Sequence, residues 1–125
     1  MALILVIDDE APIRENLMRF LRLEDHRVHE APDGQAGVEM ARLERPDLIF
    51  CDMMMPRMNG LQVLDALRST PELASVPFVF LSASAEPEQL EHALQNGATA
   101  YITKPFNLAQ LRETLKTLLP PESRS

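Results

Sequence analysis

One aspartate, Asp52, ends an apolar run in the segment LIFCDMMMPRMNG, residues 48–60. An ionised carboxylate is costly to bury without a partner, so a carboxylate at the tip of an apolar strand needs a reason. The segment alone leaves two reasons open: Asp52 accepts hydrogen bonds from the following turn, or the protein uses its charge in a reaction. The residues that end the other apolar runs decide between the two.

The other apolar runs of strand length also lead into polar residues. They are ALILVI (2–7) before Asp8, Asp9 and Glu10, FVFL (78–81) before Ser82 and Ala83, and AYIT (100–103) before Lys104 and Pro105. Because binding sites of open parallel α/β sheets form at the carboxyl ends of the strands, we expect these residues to converge with Asp52. The sequence therefore predicts one sheet edge that carries three aspartates, a serine and a lysine.

This set of residues favours phosphoryl transfer. Clustered carboxylates repel one another unless a cation neutralises them, and hard oxygen ligands suit Mg²⁺. Lys104 can supply a positive charge, and Ser82 a hydroxyl donor, for phosphate oxygens. Asp52, alone on its strand with the acidic pair to one side, is our candidate nucleophile that forms an acyl phosphate. Taken singly, the aspartates would be read as turn or helix caps.

The intervening segments have helical periodicity. Pro12 and Pro87 suit the first turns of the first and fourth helices, and Gly97 suits the C-terminal cap of the fourth. For the fifth helix we predict Asn107 as N-cap, with Gln110 at the capping-box position and Phe106 packed on Leu111. Its predicted buried stripe is Leu108, Leu111, Leu115 and Leu118.

Five apolar strands therefore alternate with five helices. Nearly continuous apolar strands are typical of a parallel sheet covered on both faces, and RVHEA (27–31), which alternates more, is predicted as an edge strand. We expect a doubly wound α/β fold in one domain, residues 1–119, with residues 120–125 as a tail or the start of a linker.

Composition restricts the functional classes. The chain has 125 residues and a formal net charge of −7 without a basic stripe, which argues against direct nucleic-acid binding. One cysteine, Cys51, cannot form an internal disulfide, and the first apolar run is too short to span a membrane. We expect a soluble cytoplasmic protein. His26, His29 and His92 lack metal-ligand spacing and are predicted to be surface or loop residues.

The segments VIDDE, LIFCDMMMPRMNG, FLSAS and AYITKPF together resemble the receiver domain of bacterial two-component response regulators. Each is weak alone, but all four occur in the family's order and spacing, over residues 3 to about 118. The resemblance implies a flavodoxin-like, chemotaxis-regulator-like fold with strand order 2-1-3-4-5.

The resemblance also implies a role for individual residues. Asp52 would be the phosphoacceptor, and the Mg²⁺ ligands would be Asp52, Asp9, the backbone carbonyl of Met54 and, through water, Asp8. The phosphoryl group would contact Ser82 and Lys104, with Ala83 leaving its approach open. Further positions of the family pattern are Pro56 and Gly60 in the loop after the acceptor, a cis Lys104–Pro105 peptide, and Ser82 with Tyr101 as the switch pair.

The implied function is signalling rather than catalysis. The phosphoryl group would come from a histidine kinase or a histidine phosphotransfer protein, and the surface of the fourth helix, fifth strand and fifth helix would change. Self-dephosphorylation would at most be slow, and we hypothesise that Met54 and Ser84 set its rate. The target would be another protein or an output domain outside this sequence.

The resemblance also bears on dimerisation. DNA-binding regulators with a winged-helix output resemble GADDY before the switch aromatic and use its two acids in a charged dimer interface. Here the stretch is GATAY (97–101), which lacks both acids, so we do not expect that dimer.

Two other functions compete with this interpretation. A haloacid-dehalogenase-type phosphatase would carry DxDx(T/V) after the first strand, and DDEAP (8–12) does not fit that motif. A pseudo-receiver would bind a partner without being phosphorylated. The presence of Asp8, Asp9, Asp52 and Lys104 argues against it.

Overall fold

Five strands and five helices alternate along the chain in a computed structural model, which describes residues 2–83 and 87–119. The strands are β1 Leu3–Ile7, β2 Arg27–Ala31, β3 Leu48–Asp52, β4 Phe78–Ser82 and β5 Ala100–Thr103. The helices are α1 Ala11–Leu23, α2 Gly34–Glu44, α3 Gly60–Arg68, α4 Pro87–Gln95 and α5 Leu108–Leu118, with a short 3-10 helix at Pro71–Leu73. The predicted tail, residues 120–125, and Ser84 lie outside the described residues.

The strands form one parallel sheet in the order β2-β1-β3-β4-β5, which confirms the predicted fold class. β1 lies between β2 and β3 and pairs with both, so the chain reverses its direction of winding after β2. The register aligns Asp52 with Leu81, one residue before Ser82, and Ser82 with Thr103, one residue before Lys104. The polar residues that follow the strands therefore meet at one sheet edge.

Two hydrophobic clusters cover the two faces of the sheet. α1 and α5 pack on one face, against alternate strand residues such as Val6 and Phe50. α2, α3 and α4 pack on the other, against Ile7 and Cys51. Because both faces are buried, consecutive residues of a central strand are all apolar. This arrangement explains the continuous apolar runs, and a buried Cys51.

Helix ends follow the predictions in part. α4 begins at Pro87, Gly97 follows it with a φ of +104°, and the Asn107 side chain accepts a hydrogen bond from the Gln110 amide. The prediction for Leu108 was wrong: it is 53% exposed at the first position of α5. Phe106, as predicted, packs against the cluster that contains Leu111.

His26 also departs from the sequence prediction. It lies in the loop before β2, as predicted, but it is buried, and its Nδ1 accepts a hydrogen bond from the Ala2 amide at 3.1 Å. Burial lowers the pKa of His26, because the charged imidazolium is poorly solvated there. Its role is to tie the start of β1 to the loop before β2.

Across the described ranges, none of the helices is long and apolar enough to cross a membrane.

Candidate functional site

Four carboxylates gather where β1 and β3 end. One oxygen from each of Asp8, Asp9, Glu10 and Asp52 lies within 4.8 Å of the others. Asp8 is fully buried and Asp52 is 4% exposed, whereas Asp9 and Glu10 are exposed. Adjacent parallel strands bring the residues that follow them to the same edge, so this convergence comes directly from the sheet topology.

Lys104 lies among these carboxylates. Its Nζ is 3.1 Å from Asp8 Oδ2, 3.3 Å from Glu10 Oε1 and 3.4 Å from Asp52 Oδ1. The Lys104 amide donates to the Ser82 carbonyl at 2.7 Å, which continues the β4–β5 pairing by one residue and aims the lysine inward. Burial alone would lower the pKa of Lys104, but the close contact with Asp8 and the charge of Asp52 outweigh it and raise the pKa. Lys104 is therefore a fixed positive charge.

The environment of Asp52 disfavours its ionised form even though Lys104 lies beside it. Burial and then the charge of Asp8 raise the pKa of Asp52 to about 6. Lys104 and the Met54 amide, which donates to Asp52 Oδ1 at 3.3 Å, act in the opposite direction. A carboxylate whose pKa is raised by burial and by a specific charged neighbour is a candidate for function rather than for stability.

Arg14 fixes the backbone of Asp8. The Arg14 guanidinium donates to the Asp8 carbonyl at 2.7 Å and to Glu30 Oε1 at 2.8 Å, and its side chain is 13% exposed. The sequence interpretation missed Arg14, although its position near the start of α1 places it within reach of the end of β1. It fixes the loop that carries the acidic pair.

The loop after Asp52 depends on glycine at position 60. A Cβ on Gly60 would lie 2.6 Å from the Asp52 carbonyl oxygen and 2.7 Å from Phe80 Cε1. The Gly60 amide donates to the Met53 carbonyl at 2.9 Å, so α3 begins directly against the end of β3. Pro56 lies in the exposed part of this loop, and Met54 is 72% exposed beside Asp52.

The remaining predicted site residues lie along β4 and β5. Ser82 is buried at the end of β4 and Ala83 after it is exposed. Tyr101 is half-buried and packs against the hydrophobic cluster that α2, α3 and α4 cover. The Lys104–Pro105 peptide bond is cis.

The acidic residues fit a hard divalent cation. Asp8 Oδ1 accepts a hydrogen bond from the Glu10 amide at 2.9 Å, whereas its buried Oδ2 accepts no aligned hydrogen bond from the residues that the structure describes and forms the ion pair with Lys104. Four carboxylate oxygens within 4.8 Å of one another match the oxygen ligands that Mg²⁺ prefers. Burial is the main cause of the raised pKa of Asp52, and a cation here would offset the second cause, the charge of Asp8.

Comparison with known proteins gives a family match over most of the chain. Residues 4–116 match the family described as the response regulator receiver domain. The response regulator MprA of Mycobacterium ulcerans is 39% identical over 116 residues, which cover 93% of this chain and 49% of that protein. The transcriptional regulatory protein PdtaR of Mycobacterium tuberculosis is 40% identical over 109 residues, 86% of this chain and 52% of that protein. The chain spans about half the length of these relatives.

Solved structures of similar fold include signalling proteins. The chemotaxis protein CheY4 of Vibrio cholerae superposes with a TM-score of 0.91 at 32% identity, covering 95% of this chain and 99% of that one. The receiver domain of a sensor histidine kinase from Pseudomonas aeruginosa superposes with a TM-score of 0.86 at 29% identity, covering 94% and 96%. That receiver domain is described with a magnesium ion coordinated in its active-site cleft.

Proposed function

Because the chain belongs to the response regulator receiver domain family, we propose that Asp52 accepts a phosphoryl group within a two-component signalling system. The observation that carries the proposal is the position of the Asp52 carboxylate. It lies at the tip of a central strand, 3.4 Å from Lys104 Nζ and within the four-carboxylate cluster. A buried carboxylate beside a lysine and an acidic cluster has little structural value, but it suits an acyl-phosphate acceptor.

The donor in this proposal is a histidine kinase or a histidine phosphotransfer protein. An Asp52 carboxylate oxygen attacks phosphorus while the bond from phosphorus to the imidazole nitrogen breaks and leaves its electron pair on the ring. Lys104 exchanges carboxylate contacts for a phosphoryl oxygen, and the Ser82 hydroxyl donates to another. Exposed Ala83 leaves space for the incoming group.

Mg²⁺ is the cofactor that we propose. Its ligands would come from Asp9, Asp52 and the Met54 backbone carbonyl, with Asp8 acting through water. Bound there, the cation would neutralise charge on the phosphoryl oxygens during transfer. The chain's own residues hold the carboxylates in place: Arg14 fixes the Asp8 carbonyl, and the close approach at Gly60 fixes the end of β3.

The output of the proposed reaction is a changed partner surface. Phosphorylation would draw the Ser82 hydroxyl inward, and Tyr101 would repack against the core and alter the face of α4, β5 and α5. The target would be another protein or an output domain. We propose that the chain is an acceptor and not an enzyme, with at most slow self-dephosphorylation. A lone cysteine fits a reducing cytoplasm.

Intact-mass spectrometry tests this proposal. The protein and its Asp52→Asn variant are incubated with acetyl phosphate, with and without Mg²⁺. We expect the mass of one phosphoryl group on the wild-type chain with Mg²⁺, and no gain in the variant or without the cation. The absence of any gain under all conditions would instead favour a pseudo-receiver, which binds its partner unphosphorylated.

A further inference from the structure

Glu10 stands at the N-cap of α1 but does not cap the helix with its side chain. Short polar side chains are preferred at N-caps because they reach the amides of the first turn. The Glu10 carboxylate turns instead towards Lys104, with Oε1 3.3 Å from Nζ. The Glu10 side chain therefore acts on the charge of Lys104 rather than on the end of the helix.

The ion pair between Glu10 and Lys104 competes with the proposed contact between Lys104 and a phosphoryl oxygen. Among the described residues Lys104 has three carboxylate partners, of which Asp8 and Asp52 are buried and belong to the site. Glu10, with a side chain 57% exposed, is the solvent-exposed partner of the three. An anion that binds beside Asp52 and contacts Lys104 must therefore displace Glu10 from the ammonium group.

The formal charge of the site makes this competition important. Counted over the described residues, four ionised carboxylates and one ammonium leave a net charge of −3. A divalent cation leaves −1, and without the charge of Glu10 the loaded site would be neutral. A charge at the mouth of a cleft changes the local concentration and the binding of charged ligands.

We propose that Glu10 is a specificity-determining residue that disfavours small dianionic phosphodonors by charge repulsion and by holding Lys104 until a donor displaces it. This inference rests on the proposed phosphorylation of Asp52. The repulsive energy scales with the charge of the donor. Acetyl phosphate is mainly a dianion at neutral pH, whereas phosphoramidate is mainly a monoanion, so Glu10 penalises acetyl phosphate more strongly.

The test compares these two donors on the wild-type chain and on Glu10→Gln, at fixed Mg²⁺ and low ionic strength. With acetyl phosphate, an oxygen of Asp52 bonds to phosphorus and acetate leaves. With phosphoramidate, the phosphorus–nitrogen bond breaks and ammonia leaves. We expect Glu10→Gln to raise the rate constant for acetyl phosphate about three- to tenfold, and that for phosphoramidate about two- to threefold.

The ratio of the two rate constants is the decisive quantity, because any effect of Lys104 that is common to both donors cancels in it. We expect the ratio to rise by about two- to threefold in Glu10→Gln and the gain to shrink in high salt. Glu15→Gln, which removes the same charge from an exposed position of α1, is the matched control and should leave the ratio unchanged.

Three outcomes would overturn the inference. An unchanged ratio would show that Glu10 does not discriminate by donor charge. Slower phosphorylation together with a loss of Mg²⁺ affinity, measured by calorimetry, would show that Glu10 is a cation ligand. If neither donor modified the wild-type chain or either variant, the proposed function itself would fail, and this inference with it.

Discussion

Replacing Asp52 by asparagine should stabilise the protein when no divalent cation is present. Asparagine has nearly the same shape but no charge, so it removes both the cost of burying a carboxylate and the repulsion by Asp8. In the folded protein these two effects raise the pKa of Asp52 to about 6, from an ordinary value of 3.8. A raised pKa means that the fold favours the neutral form of this side chain.

The size of the effect follows from the linkage between proton binding and folding. A difference of roughly two pH units between the folded and ordinary pKa corresponds to about 3 kcal/mol. Solvent at the open mouth of the site screens part of this, which leaves about 2 kcal/mol. The unfolded chain releases the Asp52 proton first, so the wild-type chain loses stability as the pH rises from about 4 through 6. The advantage of asparagine should therefore be complete at pH 8 and about half as large at pH 5.

Urea denaturation with a metal chelator, followed by circular dichroism at pH 5 and pH 8, measures this difference. Asp33→Asn is the matched control: Asp33 caps α2 by accepting the Ala36 amide, and asparagine caps equally well. We expect the control to change the free energy of unfolding by less than about 0.5 kcal/mol. An Asp52→Asn variant that is no more stable than the wild type at pH 8 would refute the electrostatic account of the site.

Three further predictions concern residues around the site and the core. Gly60→Ala should lower the free energy of unfolding by about 3 kcal/mol in urea, because the added methyl would meet the Asp52 carbonyl; a neutral effect would contradict the close approach. Arg14→Lys should weaken Mg²⁺ binding about tenfold by calorimetry, because lysine cannot donate to both the Asp8 carbonyl and Glu30; unchanged affinity would leave Arg14 a purely structural residue. His26→Gln should cost about 1 kcal/mol at pH 7 and less at pH 5. Burial lowers the pKa of His26, so the contribution of His26 to the free energy of unfolding is present above its ordinary pKa and is lost as the pH falls. An equal cost at both pH values would contradict this.

The sequence was informative where a topological rule connects it to space. The strands begin and end within one residue of the apolar runs, since a sheet covered on both faces needs apolar side chains at consecutive positions. The convergence of Asp8, Asp52 and Lys104 followed from the rule that parallel strands end at one edge. Neither prediction required knowledge of side-chain conformation.

The residues that the sequence did not reveal depend on contacts that no local pattern encodes. Arg14 acts through the Asp8 carbonyl and Glu30, which come together only after β1 and β2 pair. His26 is buried because Ala2, 24 residues away, supplies its hydrogen-bond donor. Glu10 looked like a third member of an acidic run, and only the position of Lys104 gave it a different partner.

The central claim is that Asp52 is the residue that carries the phosphoryl group, and reductive trapping tests it most directly. The chain is incubated with acetyl phosphate and Mg²⁺, reduced with borohydride, digested and sequenced by mass spectrometry. Because borohydride reduces an aspartyl phosphate to homoserine, we expect homoserine at position 52 and unmodified aspartate at positions 8 and 9. Homoserine at position 8 or 9, or an unmodified Asp52 in a chain that has gained phosphate, would contradict the account.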